Sequence, residues 1–460
     1  MNTMLYKKKD VITKSLLIIV SITVSVAASL NITILFLLLS LTLMIFLVIY
    51  KNSPKIVIVS FFLVLSFLPS TYVSLFRFNS PLGELRPSMV IIPIAILLAF
   101  LVQIRKKNFS LINENKPIII IFIIAMSINI IVITFRINFI DSFRQQMNTY
   151  LLSFGVLMMI ILCDKIISAK ATMKVFIFAS SIVSTLGIVE FFGIQPYLKL
   201  YLIDRTMFYY DNRIMDGLPR VVASMGNPLI LSGYLLICFP IALYLRETEK
   251  NKVLWNFVIC LHALAILLTM SRSAIMILLI LTLFYLFRNM NTLKIALMFL
   301  LTVGVGLVLF GFLNYFGLVE YFQNRIFFQT ESESFYYRIE AFALIFKILK
   351  YNLLFGIGLN GITEFLKNFA VISTLDNTFL TVLGSDGVIG FIMFILPFVY
   401  LVKKFSKFNG FLKFTGMSLL FIFAGMGFSY GLIYYESVWG VLWIFIALVL
   451  LREKEIRDEH

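Results

Sequence analysis

Long apolar stretches, separated by short polar breaks, recur along almost the whole chain. Most are close to the length that a helix needs to cross a membrane, about 20 residues. Fourteen such stretches occur, at 15–30, 31–50, 55–76, 87–103, 117–135, 145–163, 173–193, 226–245, 253–270, 274–288, 293–316, 386–402, 411–430 and 438–451. The pattern predicts an all-α polytopic membrane protein with about 14 transmembrane helices, forming one integral-membrane domain over residues 1–460.

The composition supports this class and excludes others. Of the 460 residues 61% are hydrophobic and 13% charged, and the mean hydropathy is +0.99. Soluble domains carry roughly 45–50% apolar and about 25% charged residues. Soluble enzymes, disordered chains and nucleic-acid-binding proteins are therefore excluded. The three cysteines form no CxxC pair, so no thiolate metal site is indicated.

The first apolar stretch has some features of a signal peptide. Lysines precede it, and Ser25-Val26-Ala27 is a passable cleavage site. The next apolar stretch follows immediately, so we expect an uncleaved first hairpin instead.

The basic residues fall unevenly on the two sides of the predicted membrane. With the N-terminus in the cytoplasm, the inner segments hold 25 basic and 9 acidic residues, and the outer segments hold 14 of each. The whole net charge of +16 therefore faces the cytoplasm, as the positive-inside rule expects. This partition predicts a multi-pass protein with both termini cytoplasmic.

The type of basic residue also differs between the sides. Lysine supplies 20 of the 25 inner basic residues, whereas arginine supplies 10 of the 14 outer ones. The outer arginines are Arg77, Arg86, Arg136, Arg144, Arg205, Arg213, Arg220, Arg272, Arg325 and Arg338. Arginine presents a rigid fork of donors that matches phosphate oxygens, which indicates a phosphate-bearing substrate. The alternative is that these side chains reach lipid headgroups or pair with nearby acids.

Two long outer segments, 194–225 and 317–385, are rich in tyrosines and acids. Loops of this length are often lids or binding loops, and aromatic rings with carboxylates suit sugars. Tyrosine belts at membrane interfaces have the same composition. Within the second segment, the pattern of residues 338–350 predicts an amphipathic helix that lies on the outer membrane surface.

Signatures of cofactor or metal chemistry are missing from the sequence. Gly356-Ile357-Gly358 lacks the remainder of a dinucleotide fingerprint, and no Asp-x-Asp occurs. Glu331 and Glu333 are better explained as a solvated loop than as a cation site, and His262 as a packed histidine than as a catalytic one. We expect no cofactor and no metal.

Four motifs stand out within 220–395. They are RVVASMGNPLILSGY at 220–234, LLTMSRSAI at 267–275, RIEAFALIFKILKYNLLFGIGL at 338–359 and DNTFLTVLGSDGVIG at 376–390. In their order and topology these motifs resemble those of the O-antigen polymerase and O-antigen ligase superfamily.

The resemblance implies a membrane glycosyltransferase of a bacterial cytoplasmic membrane. Such enzymes use undecaprenyl-diphosphate-linked oligosaccharide as donor and acceptor, without metal or nucleotide. It also implies partners beyond the membrane lipids, namely a flippase and a chain-length regulator of the same pathway, and no nucleic acid.

One position departs from the family pattern. Asp376 stands where ligases of this family have histidine. An aspartate has an ordinary pKa of about 3.9, against about 6.5 for histidine, so it is ionised but a weaker base. The departure argues against a lipid A-core ligase and leaves polymerase activity open.

The resemblance also assigns roles to named residues. Arg220 and Arg338 would stabilise the leaving diphosphate, and Asp376 would orient or deprotonate the acceptor hydroxyl. The expected substrate-binding helpers are Arg272, Asn377, Arg136 and Arg144.

Local structure offers competing explanations for some of these positions. Asp376-Asn377-Thr378 before an apolar run equally predicts a helix N-cap. Asp386, between Ser385 and Gly387, fits a polar turn better than a catalytic acid. Asn227-Pro228 fits a helix start better than a ligand contact.

Together these observations favour an inverting, metal-independent polymerase of lipid-linked repeat units on the outer membrane face. An O-antigen-ligase-like transfer to another acceptor is the first alternative. A lipid-linked oligosaccharide flippase is the second, although no internal repeat is evident and the ionisable residues cluster at the ends of the predicted spans.

Overall fold

The computed structural model describes 110–134, 139–164, 166–194, 218–287, 331–369 and 375–459, with short pieces at 76–77, 84–85, 92–93, 96, 99–100 and 214–215. Of the predicted apolar stretches, 15–30, 31–50, 55–76 and 293–316 lie outside the described residues, apart from Phe76. The stretch 87–103 is described only at scattered positions. The count of fourteen spans therefore stays a prediction.

The described residues are almost entirely helical. The helices are α1 (Ser110–Glu114), α2 (Lys116–Thr134), α3 (Phe139–Tyr150), α4 (Val156–Ile161), α5 (Ala169–Phe191), α6 (Pro228–Thr248), α7 (Lys252–Leu268), α8 (Arg272–Phe287), α9 (Glu331–Tyr351), α10 (Gly358–Phe369), α11 (Thr378–Phe405), α12 (Gly410–Ser429) and α13 (Glu436–Glu459). A π-helical turn, Leu151–Gly155, joins α3 to α4, and 3-10 turns occupy Ala223–Met225 and Leu432–Tyr434. This confirms the predicted helical class.

Two small antiparallel strand pairs are the exception to it. Phe76–Arg77 (β1) pairs with Glu84–Leu85 (β2), and Ile214–Met215 (β3) pairs with Leu218–Pro219 (β4). Each strand has two residues, so these pairs do not form a sheet-based layer.

Nine of the predicted apolar stretches correspond to described helices, and the helices extend furthest beyond them at two boundaries, by eight residues each. The stretch 386–402 lies within α11, which begins eight residues earlier at Thr378 because Asn377 caps it. The stretch 438–451 lies within α13, which continues through the charged tail to Glu459. Hydropathy marks only the apolar part of α13, which continues into charged sequence, and α11 has a break at Gly387, close to the start of the predicted stretch.

Four described helices are long and apolar enough to cross a membrane: α5, α6, α11 and α12. Several helices also turn large apolar side chains outward. Phe178 is 70% exposed and Phe257 is 64% exposed. Outward apolar side chains on apolar helices fit a lipid environment.

The core of the bundle is aromatic and tightly packed. α6 is buried along nearly its whole length, and Trp439 and Trp443 of α13 are buried beside it. The rings of Phe398 and Phe423 stack with centroids 3.8 Å apart. Close packing of this kind is the main force that holds membrane helices together.

Ion pairs join helix ends at one end of the bundle, which we call the charged end. The pairs are Lys170–Glu249, Lys174–Glu249, Lys454–Asp164 and Arg457–Glu114. All of these residues come from segments predicted to be cytoplasmic. The structure thus brings together residues that the charge pattern assigned to one side, while the side itself stays a prediction.

The helices with one end at the charged end place their other ends opposite it. We call this opposite end, comprising 190–191, 220–228, 268–272, 376–378 and 429–436, the turn-rich end. A separate apolar cluster lies there, formed by Ala341, Leu344, Ile345, Ile348, Leu349, Ile362, Leu366, Leu375 and Leu380. It packs α9 and α10 against the start of α11.

Candidate functional site

The turn that carries Arg220 is bonded to the turn between α7 and α8. The Arg220 Nε donates to the carbonyl oxygen of Thr269 at 3.0 Å. The amide of Val221 donates to the carbonyl of Leu268 at 3.4 Å. Two of the predicted motifs, 220–234 and 267–275, therefore meet at the turn-rich end.

Arg272 begins α8 immediately after this contact. Its side chain is exposed, and the preceding Met270 has a φ of +54°, in the left-handed region that few side chains adopt. The first amides of a helix attract anions, and a guanidinium beside them adds a positive charge. This place in the fold suits the predicted role of Arg272 in holding a phosphate.

Asn227 accepts a hydrogen bond from the amide of Leu229 at 2.8 Å, with Pro228 as the first helical residue. The interpretation of Asn227-Pro228 as a helix start is confirmed.

Asp376 is exposed at the start of α11, but it does not cap this helix. The cap is Asn377, whose Oδ1 accepts from the amide of Leu380 at 3.0 Å and whose Nδ2 donates to the carbonyl of Phe428 at 3.0 Å. The helix N-cap predicted for the segment Asp376-Asn377-Thr378 is therefore confirmed, but the capping residue is Asn377 and not Asp376. Both the oxygen and the nitrogen of the Asn377 side-chain amide bond to backbone groups of the protein. Asn377, predicted as a substrate contact, here supports the backbone.

Thr378 ties the same region to the turn between α12 and α13. Its hydroxyl donates to the carbonyl of Tyr430 at 2.7 Å and accepts from the amide of Leu432 at 2.8 Å. Asp376, with a φ of +37°, is held just before this junction. Aspartate tolerates the left-handed region better than most residues do.

An open cleft of about 230 Å³ lies beside Asp376. Its polar lining includes Thr363, Thr381 and Tyr435, and the ring of Tyr435 stacks on that of Tyr430 with centroids 4.8 Å apart. Pockets for drug-sized ligands span about 300–1,000 Å³, so this cleft suits one small unit such as a sugar ring. A carboxylate and an aromatic face are groups with which a protein binds a sugar.

Arg338 lies within α9, which reaches the same region. The buried face of α9 shares its apolar cluster with Leu375 and Leu380, the residues on either side of the Asp376–Thr378 segment. The helix predicted over 338–350 is present and longer, from Glu331 to Tyr351. Its location on the membrane surface stays a prediction.

The turn after α9 docks against a break in α11. The amides of Ile357, Val388 and Ile389 bond to carbonyls of Gly384, Leu353 and Leu354, at 3.1, 3.0 and 3.2 Å respectively. A Cβ at Gly356 or at Gly387 would lie 2.4 Å from backbone atoms across the contact. Only glycine permits this approach, so the third and fourth motifs also form one unit.

Asp386 lies at this break and is buried. Gly387 has a φ of +67° inside α11, which confirms a backbone irregularity where the sequence predicted a polar turn. The Oδ2 of Asp386 accepts from Nε2 of Gln146 at 2.8 Å, in a cavity of about 30 Å³ that is also lined by Asn129 and Tyr150. It is thus a buried polar residue of the bundle and not part of an exposed loop.

The roles of the remaining predicted helpers stay predictions. Arg144 lies on α3, and Arg136 lies outside the described residues. His262 is buried in α7, where its Nε2 lies 2.7 Å from the hydroxyl of Ser180 and its Nδ1 lies 2.8 Å from the Val258 carbonyl oxygen. The interpretation of His262 as a packed histidine is confirmed.

One functional candidate was missed by the sequence analysis. Glu190 of α5 is buried, with 3% exposed, and its carboxylate accepts from the amides of Val222 and Ala223. The only signal in the sequence is an acid inside the predicted apolar stretch 173–193.

The contacts thus form two groups at the turn-rich end. One joins Arg220 to the turn before Arg272, and the other joins Asp376, α9 and the turn at 430–435. α6, which follows the Arg220 turn, packs against α12 and α13, whose ends border the cleft. Among the described residues no cluster of three or more histidine, cysteine or acidic side chains is arranged to hold a metal ion.

Comparison with known proteins gives one family match, which covers residues 255–395. No curated protein matches the chain. The matched segment contains three of the four motifs, whereas the Arg220 motif precedes it. The match indicates a membrane glycan-transferase type of activity. Residues 255–395 match the family model described as O-antigen ligase, which is consistent with the O-antigen polymerase and ligase superfamily.

Proposed function

We propose that the chain polymerises lipid-linked oligosaccharide repeat units into surface polysaccharide on the outer face of the membrane. The family match implies lipid-linked oligosaccharide substrates. The observation that carries the proposal is the gathering of Arg220, Arg272 and the Asp376 cleft at one end of the bundle. Transfer from a lipid-diphosphate sugar needs cationic side chains that bind the diphosphate and a polar cleft that binds the acceptor.

The proposed reaction is a direct, inverting displacement. The acceptor hydroxyl oxygen forms a bond to the anomeric carbon of the donor, while the bond from that carbon to the diphosphate oxygen breaks. The electron pair of the breaking bond goes to the diphosphate, and the hydroxyl proton goes to the Asp376 carboxylate. No metal or nucleotide takes part.

Arginines suit the leaving group because its negative charge grows as the bond breaks. A fixed guanidinium then binds the transition state more strongly than the ground state, which lowers the barrier. Arg220 is held through its Nε by the carbonyl of Thr269, which fixes the guanidinium at the turn-rich end. Arg338 on α9 and Arg272 on α8 would complete the site, with Arg136 and Arg144 as further helpers.

Transfer of a finished glycan to another acceptor is the second candidate, because the matched family is described as O-antigen ligase. The two reactions share a donor and differ in the acceptor. Asp376 in the place of the ligase histidine favours the polymerase.

The test is reconstitution of the purified protein in liposomes with a fluorescent lipid-diphosphate repeat unit. A polymerase yields a ladder of products that differ by one repeat unit, unchanged by a metal chelator. Product only on an added second acceptor would show a ligase. Movement of the lipid across the bilayer without any glycosidic product would show a flippase and overturn the proposal.

A further inference from the structure

Glu190 presents a carboxylate in an unusual place. It is the penultimate residue of α5, a helix apolar enough to span a membrane, and only 3% of it is exposed. Burying a carboxylate at such a position is costly unless fixed partners offset the cost. A buried acid of this kind indicates a specific task.

The carboxylate bonds to backbone amides two and three residues after Arg220. Its Oε2 accepts from the amide of Val222 at 2.8 Å and from the amide of Ala223 at 2.6 Å. One side chain therefore fixes two consecutive peptide groups of the Arg220 turn.

The backbone that it fixes is strained. Ala223 has a φ of +45°, in the left-handed region that is unfavourable for a residue with a side chain. The turn also lies directly on α5, because a Cβ on Gly187 would touch Val221 and Ala223 at 3.8 Å. Such a conformation persists only where the surroundings enforce it.

We propose that Glu190 is a positioning residue for Arg220, an inference that rests on the proposed function. Glu190 holds the turn from one side, and the Thr269 carbonyl holds the Arg220 guanidinium from the other. Together they fix the arginine in the direction from which it meets the diphosphate. A misplacement of about 1 Å can cost about 100-fold in rate.

Two substitutions separate positioning from bulk stability. Glu190→Asp withdraws the carboxylate by one methylene, so we expect kcat for polymerisation to fall about 100-fold with KM changed less than about threefold. Glu190→Gln keeps an oxygen acceptor at the same reach, so we expect recovery to within about tenfold of the wild type. Glu249→Gln, at the charged end, is the matched control with wild-type kcat.

A double-mutant cycle tests whether Glu190 acts through Arg220. If it does, Glu190→Asp lowers kcat far less in an Arg220→Lys background than in the wild type. Equal losses in both backgrounds, or a Glu190→Asp kcat within about twofold of the wild type, would overturn the proposal.

Hydrogen exchange gives a readout that does not depend on the reaction. In the purified protein, Glu190→Asp should speed exchange of the amides in 221–225 about tenfold or more, while 378–382 stays unchanged. Unchanged exchange in 221–225 would overturn the positioning role even if the protein polymerises. Faster exchange in a protein that makes no polymer would retain Glu190 as the support of Arg220 and reject the proposed function alone.

Discussion

The two ends of the helical bundle are built differently. At the charged end, regular helices finish in ion pairs, as between Lys170 and Glu249. At the turn-rich end, Ala223, Met270 and Asp376 all adopt left-handed backbone, and Glu190 bonds to peptide amides. Left-handed residues that carry side chains cluster at functional sites, where surrounding contacts enforce them. We therefore propose that the charged end anchors the helices and that the turn-rich end carries the chemistry.

The largest expected effect concerns Asp376. If Asp376 accepts the proton of the acceptor hydroxyl, Asp376→Asn should lower polymerisation about 100- to 10,000-fold, because an amide is no base. Asp376→His, which introduces the ligase residue, should recover part of the activity. The measurement is the polymerisation rate at matched protein levels.

Since Asn377 already caps α11, loss of a cap does not explain a loss at Asp376. Activity of Asp376→Asn close to the wild type would remove Asp376 from the chemistry and point to Asp386 or to solvent as the proton acceptor.

A comparably large effect, on stability alone, is expected at the charged end. Asp164 and Lys454 form a buried ion pair, with 5% and 3% exposed. Asp164→Asn should destabilise the fold by about 3–5 kcal/mol, because the ammonium loses its carboxylate. Thermal unfolding in detergent measures this, and activity per folded molecule should not change.

The double variant Asp164→Leu with Lys454→Met provides the control, since an apolar pair often replaces a buried ion pair without loss. A reduced turnover per folded molecule in Asp164→Asn would show that the two ends are not functionally separate.

The next largest effect is expected for substitutions of the arginines. Arg220→Lys and Arg338→Lys should each lower polymerisation about 100- to 1,000-fold, because lysine keeps the charge but loses the forked donors. Arg457→Lys at the charged end, where Arg457 pairs with Glu114 and Glu453, is the matched control. Normal polymer lengths in both turn-rich variants would reject the diphosphate assignment and favour a flippase.

The smallest effect is a pH dependence at the charged end. Burial raises the pKa of the Glu249 carboxyl, but the ammonium groups of Lys170 and Lys174 outweigh it and hold the pKa below its ordinary value. Ionised Glu249 therefore stabilises the fold above its ordinary pKa of 4.5, and this contribution disappears as the pH falls through the lowered pKa. Unfolding of the wild type and of Glu249→Gln should differ by about 0.2–1 kcal/mol at pH 7.

The difference should shrink on acidification from about pH 5 to about pH 3. If the difference in unfolding free energy stays constant over this range, the ion pair of Glu249 contributes nothing to stability.

Much of the helical framework could be predicted from the sequence, because apolar stretches of membrane length leave the backbone few alternatives. The start of α11 could be predicted only as one of two interpretations of residues 376–378, since hydropathy does not reveal the bonds of Asn377 and Thr378 to residues 428–432. Contacts between distant segments leave no periodic signal.

The candidate site, too, could be predicted only in part from the sequence. Its arginines and Asp376 stand out in the sequence by residue type and by resemblance to family motifs. Glu190 does not, because one acid at the edge of an apolar stretch looks like a helix boundary. The docking of Gly356 on Gly384–Gly387 joins backbones about thirty residues apart, and glycine spacing alone does not reveal it.

The most direct test of the central claim uses sealed membrane vesicles of known orientation, which contain the protein and an undecaprenyl-linked acceptor. A repeat unit on a short-prenyl diphosphate, which does not cross the bilayer, is added from outside. Right-side-out vesicles should elongate it, and inside-out vesicles should do so only after detergent opens them. Elongation by intact inside-out vesicles alone would place the chemistry at the opposite face and contradict the assignment of the turn-rich end to the outer side.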